Sequence, residues 1–411
     1  MTVHIIGAGL AGLSAAVELT ARGVPVTLSE AGPRAGGRCR SYFDAQLGME
    51  IDNGNHLVLS GNTAVHAYLA RIGASDRLRG PAEARFDFVD AASGERWTVR
   101  PSMGVLPWWI FDRDRRVPGT SAGDYLALAS LLTAKDGALV GETIPTTGPL
   151  WDRLIEPVLL AGLNTEAAQG SARLAGRVVR ETMARGGRAY LPQIAQPTLA
   201  AAFVDPALEW LAARGVTLQS GRRLRALELG KRLTGLDFGA GIEPLAEGDT
   251  VILAVPAPVA QSLIPGLSAP TEFRAIVSAH FAVPPPPGMP MMLGLTNVTV
   301  EWIFAFPDRI SVTVSGADRL LDTDRAELAA LLWADVARVI DVPAELPAWQ
   351  LVKERRATFA ATPEQDALRP APRTAWPNLV LAGDWTRTGL PATIEGALRS
   401  GAAAALVVTA A

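Results

Sequence analysis

The N-terminal run Val3-His4-Ile5-Ile6-Gly7-Ala8-Gly9-Leu10-Ala11-Gly12-Leu13-Ser14 constrains this chain more than any other stretch. A β-branched apolar segment leads into three glycines in GxGxxG spacing. Apolar residues at helical spacing follow (Leu10, Leu13, Ala16, Val17, Leu19), and Arg22-Gly23 ends them. A second apolar run, Val24 to Leu28, closes at Glu30. Strand, glycines, helix, strand and acid in that order predict a βαβ unit that binds a dinucleotide. Gly7 permits the tight turn, Gly9 lets a pyrophosphate approach the backbone, and Gly12 lets the helix lie close to the sheet. The N–H groups that open the helix, at Leu10 and Ala11, face the phosphate charge. Glu30 can accept from ribose hydroxyls and repels a 2′-phosphate, which disfavours an NADP-type ligand.

The remaining length must fold around that unit. With 411 residues, nearly half of them apolar, two domains are expected. A net charge of −3 gives no support for nucleic-acid binding. Cys39 is the only cysteine, so neither an intrachain disulfide nor a cysteine metal cluster is expected. The four histidines lack metal-ligand spacing, and no metal is expected. The first strand begins at Val3, leaving no room for a signal peptide, and no apolar run is long enough to span a bilayer. The expectation is a cytoplasmic protein able to lie against the inner face of a membrane.

Two further segments narrow the ligand. The loop after Glu30 carries Gly36-Gly37-Arg38, which a plain NAD-binding domain does not need. Its glycines allow close backbone approach, and Arg38 can neutralise a pyrophosphate or lie beside a flavin ring. Near the far end, Leu379-Val380-Leu381-Ala382-Gly383-Asp384 reads as a strand ending in Gly-Asp, and Pro391 to Gly401 opens a helix. Asp384 can hydrogen-bond a ribitol hydroxyl. The N–H groups near Thr393 and Ile394 can face a flavin pyrimidine, where a helix N-terminus stabilises the negative charge of the reduced ring. NAD has no ring system that needs this second helix terminus, so the expected cofactor is FAD.

Glu30 followed by Gly36-Gly37-Arg38 resembles the N-terminal signature of the FAD-dependent amine oxidase and carotenoid desaturase superfamily. The segment Asp52-Asn53-Gly54-Asn55-His56 resembles its next flavin-side loop. Within that superfamily, several runs resemble the squalene-associated FAD-dependent desaturase family. They are Ala357-Thr358-Phe359 with Pro363, Trp376 through Thr386, Pro391 through Gly396, and Trp151 with Leu163-Asn164-Thr165. The likeness spans nearly the whole chain.

The resemblance implies an α/β fold. A Rossmann-like FAD-binding domain (1–80, 192–268, 350–411) would carry a discontinuous α+β substrate domain (81–191, 269–349). It implies that Gly54, Asn55 and His56 flank the flavin and that Leu224 and Pro256 flank the adenine. The implied reaction is reductive dehydroxylation of hydroxysqualene to squalene, with hydride reaching an allylic carbon in a dry pocket. An unidentified electron donor would reduce the flavin. As an imidazolium, His56 would suit the required acid. A structural role for His56, the weaker candidates Tyr190 and Asp52, and plain substrate ionisation stay open.

A carotenoid-type desaturase or isomerase would share the fold. An amine oxidase is a poorer match, because Trp385 follows Gly-Asp and none of Tyr42, Tyr68, Tyr125 and Tyr190 lies in the tail. A non-catalytic, flavin-stabilised lipid-binding protein is the alternative of a different class. Trp108-Trp109-Ile110-Phe111 beside Arg113, Arg115 and Arg116 suits a membrane-interface anchor or a buried core strand next to a solvated basic loop.

Overall fold

The computed structural model describes residues 1–410. Val3–Ile6, Val26–Ser29 and the helix Leu10–Ala21 form the expected βαβ unit. They belong to a five-stranded parallel sheet in which Leu218–Gln219 flanks Val26–Ser29. Thr250–Leu253 flanks Val3–Ile6 on the other side, and Leu379–Leu381 completes the sheet. Continuous apolar runs suit strands covered on both faces. One face is covered by the helices Leu10–Ala21 and Ile394–Thr409, which pack so closely that a Cβ at Gly401 would lie 2.1 Å from the Ala11 carbonyl oxygen.

Residues after Leu224, within the range expected for the FAD-binding domain, enter a separate small sheet. Ala226–Leu229 pairs antiparallel with Leu233–Asp237, which pairs with Ile242–Pro244. Leu227, Leu229 and Leu236 pack in one core with Val251, Leu253 and Leu379, so this small sheet seals the other face of the parallel one.

A mixed seven-stranded sheet forms the second layer system. Its order is Trp349–Phe359, Phe273–Phe281, Ile310–Val314, Trp302–Ala305, Met292–Thr296, Phe86–Asp90 and Arg96–Val99. All neighbours are antiparallel except Met292–Thr296 with Phe86–Asp90. Alternation sorts its residues. Val277, Ala279, Phe281, Val312 and Val314 meet Leu328, Leu332, Trp333 and Val336 of the helix Arg325–Val339. Trp302 and Phe304 enter the core that also holds Ile6 and Trp385.

Trp349–Phe359 is one continuous strand of this sheet, so a boundary between residues 349 and 350 would separate its first residue from the rest. The strand carries the polar run Lys353-Glu354-Arg355-Arg356. Lys353 Nζ donates to the carbonyls of Leu321 and Thr323, and Glu354 accepts from Asn53, so these charges serve as ties to other segments. The helices Ala122–Leu126 and Ala172–Glu181 are each continued by 3-10 turns.

The 104–111 segment is not a buried strand. Trp109 and Ile110 are buried, whereas Val105, Leu106, Trp108 and Phe111 project into solvent from a loop and the 3-10 turn Trp108–Phe111.

Candidate functional site

The glycine cradle meets the steric demands of a dinucleotide. Gly7 has φ +105°, and a Cβ there would lie 2.3 Å from the Ala254 carbonyl oxygen. A Cβ on Gly12 would lie 1.8 Å from the Gly7 carbonyl oxygen, whereas one on Gly9 would meet nothing within 4 Å. Gly7 and Gly12 therefore close the turn on itself, and Gly9 fronts open space where a phosphate can approach. The helix Leu10–Ala21 has no side-chain cap and no acid in its first turn, so the Leu10 and Ala11 amides have no competing anion of their own. Gly36 and Gly37, both at positive φ, lie alongside; Gly36 bridges to Gly9 in parallel fashion.

Glu30 accepts from the Ala8 amide (2.9 Å) and the Gly32 amide (2.8 Å). A carboxylate has about four acceptor positions, so two stay available for ribose hydroxyls. Leu224 is buried, and Pro256 caps the helix Ala257–Leu263 just beyond the strand whose Ala254 touches Gly7.

The two ends of the chain meet at a charge pair. Arg38 Nη2 donates to both oxygens of Asp384 at 2.7 Å, and Asp384 is buried. The neighbouring carboxylate holds the guanidinium above its ordinary pKa. Arg369, with no solvent exposure, fastens the segment after Asp384. It donates to the carbonyls of Asp384 (3.1 Å) and Thr386 (2.9 Å), to Thr388 Oγ1 (2.7 Å) and to Asp366 (2.9 Å).

Thr393 caps the last helix by accepting from the Gly396 amide (3.0 Å), leaving the amides of Ile394 and Glu395 at its open end. The buried Glu395 carboxylate reaches across and takes the second and third amides of the helix Thr63–Arg71, from Ala64 (3.0 Å) and Val65 (2.9 Å). Neither Arg369 nor Glu395 was assigned a role from sequence. Each has a local charge partner, Asp366 for Arg369 and Arg399 for Glu395, but the groups that give them their structural roles are backbone groups of other segments.

Asp52 to His56 forms the expected turn, fastened from behind by the seven-stranded sheet. The Asn55 side-chain Nδ2 donates to Thr313 Oγ1 (3.0 Å) and the Val312 carbonyl (3.1 Å), and a Cβ on Gly54 would sit 3.6 Å from Ser278 Oγ. His280 is wholly buried between the Asp52 carbonyl (3.0 Å) and Ser311 Oγ (2.8 Å).

Asp52 accepts from Ser41 Oγ (2.6 Å) and the Leu199 amide (2.8 Å) and faces Arg309 at 3.7 Å. Its carboxyl is thus committed to joining three segments, and burial pushes its pKa up. Tyr190 is buried near Phe86, and burial raises its phenol well above the ordinary range.

The imidazolium expected of His56 needs correction. Desolvation, reinforced by the Arg38 charge, lowers the His56 pKa to about 4, so the ring is neutral near pH 7. His280 is lowered further, to about 3, by burial and by Arg309.

His280 yields a prediction with a definite sign. Between its folded value and the ordinary 6.5, the unfolded chain binds a proton that the folded chain refuses. Stability at a given pH therefore rises toward 6.5 and is lost as pH falls, with a slope approaching about 1.4 kcal/mol per pH unit. Urea midpoints between about pH 4 and pH 7 should show a shallower acid limb for His280→Gln than for the parent; equal limbs would assign the acid sensitivity elsewhere.

A cleft of about 420 Å³ lined by Arg77, Arg79, Gln196 and Arg309 is polar, so it is not the apolar pocket the resemblance implies. Among the described residues no cluster suited to a metal occurs.

Residues 10–409 match the family model described as flavin containing amine oxidoreductase. The chain belongs to this flavoprotein family. It is 55% identical over 412 residues to a hydroxysqualene dehydroxylase of Rhodopseudomonas palustris, covering 100% of this chain and 99% of the relative. It is 52% identical to a hydroxysqualene dehydroxylase of Sinorhizobium fredii, covering 98% of this chain and 97% of the relative. Among solved structures, an oxidoreductase from Methanosarcina mazei superposes with a TM-score of 0.73 at 14% identity, over 98% of this chain and 99% of the other. The protein is an FAD-dependent oxidoreductase. Its α/β fold, with a Rossmann-like sheet beside a larger mixed sheet, is the one expected.

Proposed function

We propose that this flavoenzyme replaces the allylic hydroxyl of hydroxysqualene with hydrogen, releasing squalene and water. The observation that carries the reading is end-to-end identity above half with a hydroxysqualene dehydroxylase. The residues for FAD fit it. Gly9 fronts open space at an uncapped helix N-terminus, and Arg38, Asp384 and the open end of the last helix supply a cation, an acceptor and amides.

Reduced FAD, when bound, supplies the hydride. The protein's part is to hold the turn, admit a proton and keep water out. His280 holds the Asp52 carbonyl, and Val312 and Thr313 hold the Asn55 side chain, which together position the turn that carries His56. The departing hydroxyl needs one proton to leave as water. A neutral His56 relays it by accepting at one ring nitrogen while donating from the other. Trp302, Phe304 and Trp385 share an apolar core that excludes water, which protects an allylic carbon with cationic character from recapture.

The test is anaerobic incubation of chemically reduced protein with hydroxysqualene, and separately with phytoene, followed by product analysis. Squalene formed in step with flavin reoxidation is the expected result. Flavin reoxidised by neither compound, or conversion of phytoene alone, overturns the reading. The same reading places the protein in the cytoplasm, at the inner face of the membrane that dissolves its substrate; no helix among the described residues is long and apolar enough to cross one.

A further inference from the structure

Large apolar side chains on this surface are not scattered evenly. Val105, Leu106, Trp108, Phe111 and Leu126 each expose about three-fifths or more of their area and fall within one short stretch of chain. Exposed apolar residues occur singly on ordinary surfaces; a cluster marks a surface that meets something apolar. The stretch has a firm base. Trp109 packs edge-on against Tyr125 at 5.0 Å, and Arg116 donates to the Ile110 carbonyl at 2.6 Å. The Trp108 and Phe111 rings lie 6.2 Å apart above this base. The projecting groups thus form a held wedge.

The charge around it has one sign in excess. Arg100, Arg113, Arg185 and Arg188 are exposed around the wedge, against Asp112, Asp114 and Asp124, although the whole chain carries −3. Arg185 and Arg188 belong to this rim because the next backbone contacts are direct. The Gly187 amide donates to the Ser102 carbonyl (3.0 Å) and the Arg188 amide to the Met103 carbonyl (3.3 Å). The same segment continues to the flavin-side turn. Ser60 Oγ donates to the Arg188 carbonyl (2.7 Å), the Gly61 amide to the Ala189 carbonyl (2.7 Å), and Leu57–Leu59 pairs with Pro192–Ala195. The wedge is therefore rooted on the strand that begins one residue after His56.

We propose that Val105, Leu106, Trp108 and Phe111 insert into the interface of an anionic bilayer, and that the basic rim orients the protein with its substrate entrance against the lipid. A tryptophan beside aliphatic groups, ringed by arginines, matches the apolar-to-polar step of a headgroup region. The rim favours an anionic lipid surface over a second copy of this chain docked wedge to wedge, which would set the same arginines against one another. Delivery of substrate through this contact rests on the hydrocarbon-substrate reading above; the contact itself rests on exposure and charge.

The experiment is flotation of the FAD-loaded protein with vesicles of phosphatidylcholine and phosphatidylglycerol, and with phosphatidylcholine alone. The wild type should float with the anionic vesicles and bind neutral ones at least tenfold more weakly. The double variant Trp108→Asp, Phe111→Asp should lose at least tenfold in anionic-vesicle binding, with flavin content and melting temperature unchanged because both side chains face solvent. Trp108→Phe should restore most of the binding when Phe111 is kept. On hydroxysqualene in detergent micelles the double variant should turn over like the wild type, and on vesicle-embedded substrate it should fail. Equal flotation of wild type and double variant overturns the proposal. So does a wild-type dimer that the substitutions dissociate while flotation persists, since a second copy would then cover the wedge. Flotation without any dehydroxylation leaves the surface standing and defeats the substrate reading alone.

Discussion

Gly12→Ala is expected to give a colourless protein with a lowered melting temperature. The new methyl carbon would sit 1.8 Å from the Gly7 carbonyl oxygen and 3.3 Å from Ala254 Cβ. The clash is with backbone, so no rotamer change relieves it, and the first helix must back away from the sheet. Overpacking of a tight contact costs about 1–3 kcal/mol and more when backbone must move. The displaced helix takes its amides out of range of the pyrophosphate, so FAD affinity should fall by about 100-fold or more, equivalent to at least about 2.7 kcal/mol.

Gly9→Ala separates the two effects. Its methyl meets no protein atom within 4 Å, so the apoprotein should melt like the wild type while FAD still binds poorly, because the methyl fills the phosphate's space. Flavin absorbance per chain and apoprotein melting curves check both variants. Wild-type flavin content in Gly12→Ala would show that the helix does not need its close approach.

Arg369→Met should cause the largest loss of stability from a single side chain outside the glycine turns. The guanidinium is fully buried and serves Asp366, Thr388 Oγ1 and two carbonyls, and Phe359 lies under it at 4.8 Å. Methionine keeps much of the volume and removes every donor. Breaking a buried pair from one side costs about 3–5 kcal/mol, chiefly because the partner carboxylate stays behind without its cation. Asp366 has a second cation in Arg173, which places the loss toward the lower end of that range. The loop from Asp384 to Thr388 would lose its anchor, so flavin should dissociate before the rest of the protein melts. Denaturant titrations of apo and FAD-loaded protein decide this: equal stability of variant and wild type would mean that other contacts hold the loop.

The glycine turns were legible in the sequence because glycine requirements are local. A turn that admits no Cβ leaves glycines at fixed spacing, and Gly7, Gly12 and Gly383 all stand where a Cβ would strike neighbouring atoms. The supports of the cradle were not legible. His280 is 228 residues from the Asp52 carbonyl it holds, and Glu395 is more than 300 residues from the helix it caps. No periodicity links such partners.

Asn164 lies between these cases. The segment Leu163-Asn164-Thr165 stood out only by resemblance, and its physical content appears in the fold. Asn164 adopts φ +48° at a helix end. Its side chain accepts from the Gly316 amide and donates to Thr358 Oγ1 and the Arg274 carbonyl. The charged run 353–356 lies on the edge strand Trp349–Phe359, where Lys353 and Glu354 find partners in other segments and Arg355 and Arg356 face solvent.

The ion pair of Arg38 with Asp384 dictates an order of events at the ribosome. When the first strand and its glycine turn emerge, Asp384 and the last helix are still more than 300 codons from translation. A nascent chain can fold its opening βαβ unit early, but it has only half a grip on the cofactor. The Arg38–Asp384 pair can close only after nearly the whole chain has been made.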